Sequence, residues 1–189
     1  MRPLRQLLHY HEQMLSFHTH LTATHSYSAN PWGWPLLLRP TSFFYESEPT
    51  CGTDNCSQEV IPLGNPIIWW LGALAMVMLA YFAVRRFHSA AAAIVAAAAA
   101  GWVPWLFFPS RTMFHFYSVV YIPYTVMALA LLAVFVSSRA SLHRDEWNWP
   151  LVGFLCAVSV LTMFFYPILT GMSLTYDQWQ LRMWLPSWI

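Results

Sequence analysis

The chain has 189 residues, of which 58% are hydrophobic and only 9% charged, and its net charge is +1. Soluble domains carry roughly a quarter of their residues as charges, so a soluble globular enzyme is excluded on composition. All nine basic residues are Arg and none forms a basic tract, which removes nucleic acid as a partner.

In chain order, Leu4, Leu7, Leu8, Met14, Leu15 and Leu21 recur at helical spacing. They predict an amphipathic helix lying on the outer membrane surface or against a helical bundle. Five His fall within the first 25 residues, as the pairs HYH and HTH plus His25. They raise a metal or haem site as an alternative function. Helical geometry opposes it, because residues i and i+2 diverge on a helix while chelation needs i, i+3 or i, i+4. No metal is therefore expected.

Residues 24–40, THSYSANPWGWPLLLRP, are too apolar for a solvent loop and too rich in proline for a regular helix. An extended backbone would point Trp32 and Trp34 the same way. Both could serve as a membrane-interface belt, since indole is amphipathic. The sharper reading adds His25, Tyr27, Ser28 and Arg39, which together could grip an anion and a sugar, Arg through its planar fork. Cys51 and Cys56 bracket a short polar turn, CGTDNC, and an oxidising exterior would join them as a disulfide. Cys156 falls in an apolar run and reads as a small packing residue.

Four runs, 66–84, 90–108, 114–136 and 150–171, contain no Asp, Glu, Lys or Arg. About 20 residues at helical rise cross the ~30 Å hydrocarbon layer. The fold class is thus an all-α integral membrane protein with four transmembrane helices. The Ala-rich second run is expected inside the bundle, where small side chains allow close approach. Between the third and fourth runs, Asp145 and Glu146 read as a solvated loop pair beside Arg144. Arg111 and His115 stand at i, i+4 where the third run begins and would share one helical face at the surface. Snorkelling of Arg111 and packing of His115 are the plainer alternatives.

Arg85, Arg86, Arg139 and Arg144 flank one side of the runs, against Arg111 and Arg182 on the other. The Arg-richer side is expected in the cytoplasm. Residues 1–65 and 172–189 then form an extracytoplasmic segment and tail around a 66–171 transmembrane domain. Exporting 65 polar residues without an apolar leader is awkward. The chain therefore reads as the C-terminal portion, or one half, of a larger protein, with a remnant without activity as the blander possibility.

Four stretches, HSYSANPWGWPLLLRP, LGNPIIWW, GWVPWLFFPSRTMFHFY and LRMWLPSWI, recur in order across residues 18–189. As an ordered set the chain resembles the C-terminal part of protein O-mannosyltransferases of the actinobacterial branch. The resemblance implies a GT-C membrane fold, a plasma-membrane location, and mannose transfer from a polyprenyl-phosphate-mannose donor to Ser or Thr of exported proteins on the outer face. It implies no cofactor beyond that lipid-linked sugar. It places donor or acceptor contacts among His25, Tyr27, Ser28, Trp32, Trp34, Arg39, Arg111, His115 and Tyr117. The family's catalytic Asp-Glu pair lies in a first outer loop with no counterpart here, so this chain alone is expected to be inactive without an N-terminal transmembrane partner.

Overall fold

The structure is a computed structural model that describes residues 2–21, 23–47, 51–52, 55–139 and 144–189. Its long elements are helices α1 (Arg2–Thr19), α2 (Pro66–Arg86), α3 (Ser89–Trp102), α4 (Ile122–Arg139) and α5 (Arg144–Thr170). A short helix α6 (Tyr176–Gln180) follows them. Helix α1 is exposed along its described length, its Leu positions included.

The segments Pro66–Arg86, Ser89–Phe107 and Trp149–Thr170 are long and apolar enough to cross a membrane, and Ile122–Ser138 is a shorter apolar helix. Each boundary has a local cause. Asn65 caps α2, its side chain accepting from the amides of Ile67 and Ile68, with Pro66 at the first helical position. Pro104 cannot continue α3, so the Ala-rich run finishes as a 3-10 turn, Val103–Phe107. Residues 114–121, expected as the start of a regular span, instead hold a 3-10 turn at His115–Val120. The α-helix begins only at Ile122, just ahead of Pro123, which suits a first turn because it needs no amide donor. Asp145 and Glu146, expected in a loop, lie in the first turn of α5.

Helices α2, α3 and α4 pack mutually around Ala75, Leu79, Ala91, Ile94 and Ala128. Only the stripe Ala91, Ile94 and Ala98 of α3 is buried, so the expectation of an enclosed Ala-rich helix holds for one face. Gly72 permits the α2–α4 approach, since a Cβ there would stand 3.3 Å from Thr125 Cβ.

The molecule is mostly helical, as expected, and adds a small antiparallel sheet of β1 (Phe44–Glu46), β2 (Cys56–Val60) and β3 (Leu174–Thr175), in that order. Cys51 and Cys56 are disulfide-bonded beside it, with Cα atoms 6.0 Å apart. The sheet caps one end of the bundle, and α5 joins the molecule chiefly through β2. Asn65 adds a second tie, its side-chain amide donating to Val158 O and Thr162 Oγ1, each at 2.9 Å. After α5 the chain reverses through Gly171 at φ 71°, a conformation that suits glycine. A core of Leu37, Ile61, Phe165, Ile168, Trp179 and Trp188 fills the space between sheet, α5 and tail.

One carboxylate is sealed into this cap. Glu59 on β2 is 2% exposed, and its Oε2 accepts from the Trp179 indole at 2.6 Å. Burial pushes the Glu59 carboxyl above its ordinary value of 4.5, and hydrogen bonds from Trp179 and Ser42 pull it part of the way back. A raised folded-state value means the native chain holds the proton more tightly than the unfolded one. Glu59 therefore supports the fold fully below the ordinary carboxylate value, and that support is lost as pH rises through the raised value. Glu59→Gln keeps an acceptor for the indole and should remove this part of the pH slope. Thermal unfolding of detergent-purified protein between pH 4 and 8 should show wild type losing stability relative to the variant as pH rises.

Candidate functional site

Residues 23–40 and 111–117 come together at the capped end of the bundle. Pro31–Leu36 is a 3-10 helix, not the extended backbone expected from its prolines. Three residues per turn set Trp32 and Trp34 on different sides. Trp34 is fully buried and Trp32 is 65% exposed, so the two do not point together.

Short 3-10 turns and prolines offer few backbone donors, and here indole N–H groups add to them, even at Trp34 O, which also accepts from Leu37 N. Trp102 donates to Pro31 O at 2.8 Å, Trp69 to Trp34 O at 2.8 Å, Trp70 to Leu36 O at 3.0 Å and Trp188 to Leu37 O at 2.6 Å. Trp34 itself donates to Ala29 O at 3.2 Å. Leu37 holds a left-handed conformation, φ 57°, that aims its side chain into the core and its carbonyl at Trp188. The tail adds Ser187, whose hydroxyl donates to Leu38 O.

Arg39 belongs to the same clamp. Its Nη1 donates to Ser187 O at 2.8 Å and Ile189 O at 2.9 Å, its Nη2 to Ser26 O at 2.9 Å, and its guanidinium lies 5.1 Å from the Tyr27 ring centre. The fork expected to hold an anion is occupied by backbone carbonyls of the tail and the loop. His115 also turns inward. It is 1% exposed, its Nε2 donates to Trp34 O at 3.2 Å, and its ring lies 5.3 Å from Trp69. The backbone from Arg111 to Phe114 is not helical, so Arg111 and His115 do not share the helical face expected of them.

Arg111 faces the other way, into a cleft of about 200 Å³ lined by Leu15, His18, Pro104, Trp105 and Phe108. Its guanidinium carbon lies 5.3 Å from the Trp105 ring centre and 5.8 Å from that of Tyr117. Nη2 donates to His18 Nδ1 at 3.1 Å. Because guanidinium only donates, that His nitrogen must accept, which leaves the ring proton on Nε2. Arg111 Nε is buried and makes no hydrogen bond among the described residues. A charged donor in that condition is costly unless a ligand completes it. His25, Tyr27 and Ser28 form a turn nearby: Tyr27 N donates to His25 Nδ1 at 3.1 Å, and the His25 ring stands 5.0 Å from Phe114.

The sequence pointed to Arg111 and Tyr117 here but missed Trp105, Phe108 and His18 as their neighbours. The available signal was that GWVPWLFFPSR and the helix ending in HTH were both expected on the same side of the spans. For a metal or haem, the His-rich helix offers little. Among the described residues no three His, Cys, Asp or Glu side chains converge.

Comparison with known proteins adds the family. Residues 3–188 match the model of the C-terminal four-transmembrane region of protein O-mannosyltransferase. A polyprenol-phosphate-mannose–protein mannosyltransferase of Mycobacterium tuberculosis is 30% identical over 98% of this chain and 37% of its own length. One from Mycolicibacterium smegmatis is 32% identical over 98% of this chain and 38% of its own length. The chain thus spans less than two-fifths of these relatives. The solved Saccharomyces cerevisiae protein O-mannosyltransferase Pmt1-Pmt2 complex bound to the sugar donor shares the fold, with a TM-score of 0.75 at 23% identity. That likeness covers 98% of this chain and 27% of the yeast one.

The clamp predicts two stability losses. Trp188→Phe keeps most of the apolar surface but orphans the Leu37 carbonyl, at about 1–3 kcal/mol. Arg39→Ala removes a charged donor from three carbonyls, at about 1.5–3 kcal/mol. Denaturant titration in detergent should show both, with Trp32→Phe close to wild type.

Proposed function

The chain belongs to the protein O-mannosyltransferase family, as its C-terminal four-transmembrane region, and from that premise we propose that it supplies the donor-phosphate side of a mannosyl transfer. The observation that carries this reading is the unpartnered, buried Nε–H of Arg111 in an aromatic-walled cleft. Glycosyl transfer from a lipid phosphate needs cationic donors on the departing phosphate, where negative charge develops. Arg111 offers its guanidinium at the cleft wall, and His18 offers Nε2–H from beside it. The faces of Trp105 and Tyr117 flank the guanidinium and suit the C–H side of a sugar. Leu15, Pro104 and Phe108 suit the first isoprene units of a polyprenyl chain.

The same transfer needs a base for the acceptor hydroxyl. Glu59 is not available for that task, being closed into the cap and held by Trp179. The base comes instead from a portion of the enzyme that the relatives carry beyond the matched region. The donor is polyprenyl-phosphate-mannose, the acceptor a Ser or Thr hydroxyl of an exported protein, and the cleft opens on the outer face of the plasma membrane. In this arrangement Arg39 acts by holding the loop and tail in place, and His25, Tyr27 and Ser28 form the adjoining rim on the acceptor side.

Two measurements test the reading. The purified chain should bind a polyprenyl-phosphate-mannose analogue, and Arg111→Gln should weaken binding about tenfold to a hundredfold, as loss of a charge-assisted contact does. Transfer to a Thr-containing peptide should require co-reconstitution with the N-terminal portion of a mycobacterial relative. Unchanged donor binding by Arg111→Gln would overturn the phosphate assignment, and transfer by the chain alone would overturn the division of labour.

A further inference from the structure

A second cleft, of about 270 Å³, lies at the opposite end of the bundle, between the end of α2, the start of α3 and the end of α4. Phe82, Arg86, His88, Phe135 and Ser138 line it. The rings of Phe82 and Phe135 meet edge to face at 5.0 Å, and His88 stands edge-on to Phe135 at 4.9 Å. They make an apolar floor beneath polar groups.

The donors there are unspent. His88 Nδ1 accepts from Ala91 N at 3.2 Å as the cap of α3, so the ring proton is on Nε2. Among the described residues Arg86 has no hydrogen-bond or ion-pair partner. Among the described residues no carboxylate lines the cleft. We propose that this cleft is a second phosphate-anion site, built by Arg86 and His88, which takes the phosphate ester of an anionic phospholipid headgroup.

Depth favours a lipid. The apolar run of α2 ends at Val84, and Arg85 and Arg86 follow at once, which is the level of a headgroup at the margin of a hydrocarbon layer. Phe87 closes the α2–α3 turn at φ 50° and is 89% exposed. An exposed aromatic ring in a left-handed turn is costly in water, and an interfacial lipid would cover it. The cleft lies at the far end of α2 from Asn65 and the clamped loop, so it is separate from the Arg111 site.

The test uses the purified chain in a neutral detergent, with bound lipid read by native mass spectrometry. Phosphatidylglycerol should remain bound and phosphatidylcholine should not. Arg86→Gln combined with His88→Asn should weaken phosphatidylglycerol binding about tenfold or more. Asn at 88 preserves a capping side chain for α3, and far-UV circular dichroism matching wild type shows that folding is intact. Met163→Ala, on the exposed face of α5 and outside the cleft lining, is a control expected to bind like wild type. Glycerol 3-phosphate distinguishes the source of the phosphate. Weak binding of it beside tight phosphatidylglycerol supports the lipid, and equal binding of both would overturn the lipid assignment. Equal retention of phosphatidylcholine, or undiminished phosphatidylglycerol binding by the double variant, would overturn the site itself.

Discussion

Everything at the capped end of this molecule depends on how one proline-rich loop satisfies its carbonyl groups. Pro31, Pro35 and Pro40 contribute no amide donors, and a 3-10 turn of six residues has few internal bonds to offer. Buried carbonyls without partners cost about as much as a lost hydrogen bond each. The chain answers with indole N–H groups from α2, α3 and the C-terminal tail, supplemented by the Arg39 fork. Indole suits the task because it couples one donor to a large apolar surface. The aromatic density of the loop is thus a structural requirement before it is a functional one.

That clamp also explains how two loosely related bodies become one. Helices α2, α3 and α4 share a core of small and aliphatic side chains, whereas α5 meets the rest chiefly through the sheet. The loop touches both sides, since Trp69, Trp70 and Trp102 reach it from the bundle and Trp188 from the tail packed on α5. The segment from Arg111 to Met113 is fixed from the same direction, with the Thr112 hydroxyl donating to Ala23 O and Ala29 N to Met113 O at 2.7 Å. Arg111 therefore projects from a backbone that the clamp holds rigid, which is what a phosphate contact needs if it is to act without reorganisation.

The spans were legible because hydrocarbon imposes a rule that composition alone reveals, namely about 20 consecutive residues without charge. Their ends were less so. FHFYSVV is apolar whether it forms an α-helix or a 3-10 turn, and hydropathy does not separate the two. The sheet escaped notice because β1 and β3 are three and two residues long, too short for an alternating pattern to register. Glu59 carries no local signal of its own in the sequence. Its burial depends on Trp179, 120 positions later in the chain.

The two arginines at the capped end show why residue type does not settle a role. Arg39 and Arg111 each follow a proline- and aromatic-rich stretch, and each has the same planar fork. What separates them is the supply of acceptors. Arg39 lies beside the tail, whose last turn presents the carbonyls of Ser187 and Ile189, so the protein itself saturates the fork. Arg111 lies beside α1 and aromatic faces, which neutralise little charge and leave Nε without an acceptor. A cation that its own fold fails to complete is the better candidate for an anionic substrate, because binding then supplies hydrogen bonds without breaking any. By that criterion the proposed phosphate contact passes from the loop to the turn before α4, and the loop becomes the frame that aims it.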